Sequence, residues 1–362
     1  MKIKNIFFAA ILVFAGFSCS MEDDTIMNDV EKGIEEATEA YTVLDFGVAF
    51  NEMATKASTT VVPGEDRLAT GNENNDEKKI SEVSVFLLED GKVIGILKSQ
   101  NMNQVSSNSD GSITLKDLKF VTKYKTNRTL DAHVVINGNQ FLKNINIGDA
   151  QSALNQQISG CLSADQLIKY GSTSIVFGKD ITNSYPSPSV AENNPTTILV
   201  KVSHVAARLD FSQFDVTLTG FEGNPTVVFD EAKFVNLQQN GKIVEGDASV
   251  NVKDGAFLNR SNRIGTRWTD MGTAYGYANQ YKQDSEMNTA LYVKFTVDGR
   301  TFEKTYPINP AGITKEVNHT GIKGGYLYDI KVHWTITPKW GDSTIEFYTR
   351  DWVHNTIPEV VL

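Results

Sequence analysis

Five histidines, His133, His204, His319, His333 and His354, are the side chains of this 362-residue sequence best suited to acid–base or metal chemistry, and they stand far apart without metal-ligand spacing. There is no Gly-rich phosphate loop and no GxSxG elbow, and the two cysteines, Cys19 and Cys161, do not form a paired motif. The pattern therefore argues against an enzyme and implies no cofactor or metal. What the residues do support is chemistry performed on the chain. Val61 and Val62 run into Pro63-Gly64, and Glu65, Asp66 and Arg67 then precede the polar run of residues 69–77. A lone Arg in such a hydrophilic segment is an accessible site for a trypsin-like protease, although an ordinary exposed loop arginine has the same appearance.

The element in front of that site is a strand. Leu44, Phe46, Val48 and Phe50 alternate with Val43, Asp45, Gly47 and Ala49, which places four large apolar side chains on one face. Strand and loop together predict a removable strand, one that completes a sheet and is followed by a place to cut it off. The plainer alternative is a permanent N-terminal strand.

The chain is long enough for two domains with proper cores. Its 34 basic against 44 acidic residues argue against a nucleic-acid partner, which needs a concentrated positive surface. Short alternating runs recur between turn residues and long helical periodicity is scarce, a pattern that predicts an all-β sandwich architecture.

The first 18 residues read as a signal peptide, with Lys2 and Lys4 ahead of an apolar run too short for a comfortable membrane span. The Cys19 that closes it resembles a bacterial lipobox cysteine, acylated on its thiol after cleavage just before it. Phe17 and Gly16 depart from that pattern, and ordinary signal-peptidase cleavage is the alternative. The acidic run Glu22-Asp23-Asp24 resembles a surface-export signal of Gram-negative lipoproteins, or is a solvated tether. Cys161 is expected to be a buried or partly buried small apolar residue.

From residue 82 the strand grammar is explicit. Residues 82–88 and 93–97 flank a tight turn at Asp90-Gly91, and residues 129–136 form another strand. Two short helices are predicted over residues 149–158 and 163–170, with Asp149 and Ser163 as N-caps. A proline-bearing loop covers 182–195. Residues 196–211 alternate for longer than one strand needs, so the domain boundary is placed near residue 206, giving domains 68–205 and 206–362. Strands are also predicted over 215–219, 226–229, 291–297, 301–306, 326–336 and 344–352.

Taken in order, the leader, the apolar strand before a loop Arg, SEVSVFLLEDGK, RTLDAHVVINGN, VSHVAARLDF and the closing GGYLYDIKVHWTI…EFYTRDW resemble the FimA-like fimbrillins, the type V pilins, over nearly the whole chain from Cys19. The resemblance implies two tandem transthyretin-like Greek-key β-sandwich domains with a few short helices. It implies an outer-membrane lipoprotein precursor acylated at Cys19, whose propeptide of residues 19–67 is removed by an Arg-specific protease that breaks the Arg67–Leu68 bond. It further implies polymerisation by donor-strand exchange into a cell-surface fimbrium, with other copies and related fimbrial subunits as partners and host or bacterial surface ligands as adhesion targets.

The removed strand would carry Leu44, Phe46, Val48 and Phe50. The candidate donor is the tail, through Val353, Ile357, Val360, Val361 and Leu362, although Pro358 cannot donate to a ladder. The alternative reading of the tail is a last strand with a frayed end. The rival function is a non-polymerising surface lipoprotein that binds glycan or serves as a fimbrial tip or anchor. Its residue-level support is Trp268, Tyr275, Tyr277 and Tyr281, which would form an aromatic surface if exposed together and merely pin a loop if buried.

Overall fold

Alternating segments fold here as strands because each has a partner backbone and a core to cover. The computed structural model describes residues 39–50, 75–99, 106–107, 113–244, 246–258, 263–309 and 320–351. The longer strands are β1 (Tyr41–Phe50), β2 (Val83–Glu89), β3 (Lys92–Ser99), β4 (Ile113–Lys123), β5 (Thr129–Ile136), β6 (Lys169–Val176) and β7 (Thr196–His204). They continue with β8 (Ala207–Leu218), β9 (Val227–Val235), β10 (Arg267–Gly276), β11 (Ala290–Val297), β12 (Arg300–Pro307), β13 (Tyr326–Ile336) and β14 (Gly341–Asp351). The class is all-β.

Among the described residues, one sheet runs β3-β2-β5-β6-β7-β1-β4 and ends on the short strand Ser106–Ser107. A second runs β10-β8-β13-β14, and a third contains β9, β11 and β12 in that order. One apolar core draws its residues from positions 44–202 and another from 207–336. A third cluster, including Phe86, Val135, Ile158, Tyr277 and Leu327, is built from both stretches and joins them. The small ladder between Gln157–Ser159 and Asn240–Lys242 does the same through the backbone.

Turn chemistry sets the hairpins. Asp90 and Gly91 both have positive φ between β2 and β3, and Asp298 and Gly299 repeat this between β11 and β12, as a two-residue primed turn requires. The segment over 196–211 is two strands, β7 and β8, separated by Val205 and Ala206.

The two helices predicted at 149–158 and 163–170 do not form. Each is a single 3-10 turn, Gln151–Leu154 and Ala164–Gln166, followed by a strand. Gly160 and Cys161 adopt positive φ between them, and Ile158 and Lys169 are drawn into ladders with Gly241 and Ile136. Sheet partners outcompete the weak local helix signal. Conversely, the loop at 182–195 contains a short helix, α1 (Pro188–Glu192), which starts with a proline and is capped by Ser187 accepting from the Val190 N–H.

Candidate functional site: the cleft that holds β1

β1 lies inside its sheet, not at an edge. It pairs parallel with β7, matching Leu44 to Thr196, Phe46 to Ile198, Val48 to Val200 and Phe50 to Val202. On its other side it pairs antiparallel with β4, from Tyr41 opposite Lys123 to Val48 opposite Ile113, with an irregularity between Asp45 and Gly47. Leu44, Phe46 and Val48 are fully buried in the first core beside Val85, Leu115, Val134, Val200 and Val202. The Phe50 side chain lies outside the described residues.

The sequence says why β1 is held so firmly. Period-two alternation supplies the core face, and the flanking strands satisfy backbone groups along both sides, so that lifting it out would expose two rows of unpaired N–H and C=O groups.

The second sheet repeats the arrangement. β8 lies parallel to β13 and antiparallel to β10, as β1 does to β7 and β4. Both strands carry Leu-Asp-Phe at an irregularity in register: Leu44-Asp45-Phe46 in β1, where it falls between Asp45 and Gly47, and Leu209-Asp210-Phe211 in β8, where it falls between Phe211 and Gln213. This repeated tripeptide is a sequence signal that points to β1 and β8 as equivalent strands.

Between the two cores the structure assembles a set of side chains that pattern reading passed over. Glu77 closes the polar run at 69–77, yet it is completely buried. Its carboxylate accepts from Arg208 Nη1 at 3.0 Å and from the Tyr275 hydroxyl. Arg208 Nε also donates to Asp210 Oδ1 at 2.9 Å, and Thr273 Oγ1 donates to the same oxygen at 2.7 Å. Burial pushes the Glu77 carboxyl up, while the Tyr275 and Arg208 contacts oppose that rise. The signal available in the sequence was a pair of charged residues, Arg208 and Asp210, inside an apolar strand.

Nearby, Lys169 is fully buried and donates to the carbonyls of Lys79 and Leu167, each at 3.3 Å. Asn137 Nδ2 donates to the same two carbonyls, at 2.9 and 3.2 Å. Burial lowers the Lys169 amine to about 8. These contacts hold Glu77 and Lys79, in the described stretch that begins at Asn75, in the junction.

Cys19, Arg67, Leu68 and the tail residues Val353, Ile357, Val360, Val361 and Leu362 lie outside the described residues. The aromatic segment does not make a surface. Trp268 is buried in the second core, Tyr277 is buried in the junction and donates to the Gly160 carbonyl at 2.6 Å, and Tyr275 binds Glu77. Tyr281 is half-buried.

His133 is buried with Nδ1 2.7 Å from the Tyr170 hydroxyl, and burial lowers its pKa. His204 is buried with Nε2 3.4 Å from the Glu77 carbonyl. Among the described residues, no group of His, Cys, Asp or Glu side chains could hold a metal, and no helix is long and apolar enough to cross a membrane. Cys161 is half-buried, beside Gln140.

No protein-family model matches the chain and no curated protein matches it. Solved structures do match. A Parabacteroides distasonis ATCC 8503 protein assigned to cell adhesion is 16% identical, aligned over 88% of this chain and 99% of that one at a TM-score of 0.56. A second protein of the same strain, likewise assigned to cell adhesion, is 12% identical over 87% of this chain and 100% of that one, with a TM-score of 0.51. The fimbrilin FimA of Porphyromonas gingivalis W83 aligns at 14% identity over 87% of this chain and 99% of that one, with a TM-score of 0.48. At these identities the likeness to the first two is one of fold: this chain folds as those cell-adhesion proteins do.

Proposed function

We propose that the chain is a structural subunit of a cell-surface fimbrium that supports adhesion. Residues 1–18 direct export, Cys19 anchors the precursor to the outer membrane through acyl chains, and an Arg-specific protease breaks the Arg67–Leu68 bond. The remaining domains, 68–205 and 206–362, then assemble when the tail of another copy, residues 353–362, fills the cleft that β1 vacates.

The observation that carries this reading is the place of β1. Its covalent link to the strands that flank it runs through residues 51–74, which contain Arg67, yet it sits between β7 and β4 with Leu44, Phe46 and Val48 in the core. Burying side chains of this size is worth about 1.5–3 kcal/mol each, so the cut chain gains a strong demand for a replacement strand. Strand addition from a neighbour meets that demand with main-chain hydrogen bonds and alternating side chains. The fold shared with proteins assigned to cell adhesion supports the same reading. The glycan-binding alternative loses its residue-level support, because the rings of Trp268 and Tyr277 are buried.

Limited trypsin digestion of the precursor lacking its signal, followed by N-terminal sequencing and gel filtration, tests the mechanism. A new terminus at Leu68 with a ladder of oligomers is expected, and deleting residues 353–362 should abolish the ladder. A clean cut that leaves only monomers points to a tip or anchor subunit. No cut near Arg67 rules out strand removal.

A further inference from the structure

The outer face of β1 is not treated like the outer faces of its neighbours. Val43 points away from the first core, on the face opposite Leu44, and is 0% exposed. Its cross-strand partner on β4, Val121, shares that face and is 37% exposed; Leu199, the β7 partner of Gly47, is 43% exposed while Gly47 is buried. At Val43 and Gly47 the outer face of β1 is closed off, while Val121 and Leu199 beside them stay open to solvent.

The segment that packs against this part of the sheet is residues 182–195. The Tyr41 N–H donates to the Tyr185 carbonyl and the Tyr185 N–H to the Tyr41 carbonyl, both at 2.8 Å, so the segment is stitched to the start of the strand. α1 lies against β1 and β4, with Ala191 fully buried. The side-chain amides of Asn193 and Asn194 close the helix by donating to the carbonyls of Ser189 and Val190, each at 3.0 Å. Thr196, the first residue of β7, follows directly, so this roof is continuous in sequence with the wall of the cleft.

We propose that residues 182–195 are part of the strand-binding site and select the incoming strand by its outward face. The inference rests on the removable-strand reading and goes beyond it by naming what the strand of a second copy must look like. An ordinary edge strand is read on one face only. A strand in this cleft is read on both: large apolar residues at the positions of Leu44, Phe46 and Val48, and a β-branched apolar residue at the position of Val43. A charged residue at the Val43 position would be buried under the roof without a partner, so such a strand would bind only with the roof displaced.

The test uses the full chain lacking its signal, cut at Arg67, and labelled synthetic peptides spanning residues 39–52. The parent peptide should enter the cleft in exchange for the resident strand, and a Val43→Lys peptide should bind at least about tenfold more weakly, a loss of about 1.4 kcal/mol or more. In a subunit whose residues 183–194 are replaced by a Gly-Ser linker, that penalty should shrink to about twofold. If that subunit does not fold, a cross-link replaces it. In a Cys19→Ser, Cys161→Ser, Tyr185→Cys subunit, a peptide carrying Tyr41→Cys should form a disulfide, and one carrying Ala49→Cys should not.

Equal binding of parent and Val43→Lys peptides, an undiminished penalty without the roof, or no preferential cross-link at position 41 each overturn the proposal while leaving strand removal standing. Failure of even the parent peptide to enter the cut chain overturns strand removal, and the role of the roof falls with it.

Discussion

Phe46 sits at the centre of β1 with its ring wholly enclosed in the first core, opposite Ile198 on β7. Truncating it leaves a cavity that a close-packed interior relaxes only partly to fill, so Phe46→Ala should destabilise the uncut precursor by about 3–5 kcal/mol in urea unfolding. That residue was legible in the sequence, because period-two alternation marks a core face without reference to the rest of the fold. Lys169 was not, since a lysine near the end of a segment read as a short helix, residues 163–170, gives no sign that it will start a strand and be buried. Its amine, lowered to about 8 from 10.5, binds a proton less readily folded than unfolded. Stability is therefore fully present above the unfolded value and is lost as pH falls from about 10.5 to 8. Between pH 8 and 9.5 the native chain should gain roughly 1–2 kcal/mol that a Lys169→Met chain does not gain, read as the difference between their urea midpoints. Met should be tolerated at pH 7, because Asn137 continues to donate to the carbonyls of Lys79 and Leu167.

Strands were the readily predicted elements, and the strand of residues 129–136 was predicted with its observed bounds. Their order in the sheet was not legible. Nothing in the alternation of residues 41–50 distinguishes a strand at an edge from one with neighbours on both sides, because the face pattern reports burial and is silent about lateral pairing. The short helices were misread because Gln157–Ser159 and β6 take their conformation from partners 80 and 30 or so positions away, judged from pairs such as Ile158 with Gly241 and Lys169 with Ile136. At Gly171 on β6, an added Cβ would collide with the Lys201 carbonyl of β7. Gly171→Ala should therefore push β6 off β7 and cost about 1–3 kcal/mol, with faster amide exchange along β7 as the local signature. A uniform loss of stability without change in β7 exchange would contradict that placement.

For the molecule as a whole, the junction matters more than either core alone. Glu77, Arg208, Asp210 and Tyr275 tie the described stretch that begins at Asn75 to β8 and β10. Removing one partner of a buried ion pair leaves an uncompensated charge, so Glu77→Ala should cost about 3–5 kcal/mol, and pairing it with Arg208→Met should recover part of that loss in a double-mutant cycle. Additive losses would mean the two side chains are energetically independent.

The kinship of β1 and β8 has a consequence for stoichiometry. β8 is the equivalent strand of the second sheet, yet it follows β7 after only Val205 and Ala206, whereas β1 is followed by residues 51–74. Cutting after Arg67 can vacate one position per copy, and no comparable stretch adjoins β8. Each copy in the proposed fibre then has one acceptor and one donor, a functionality of two. Growth is confined to an unbranched line, and adding copies that lack residues 353–362 should shorten the average fibre in proportion to their mole fraction without ever producing branches.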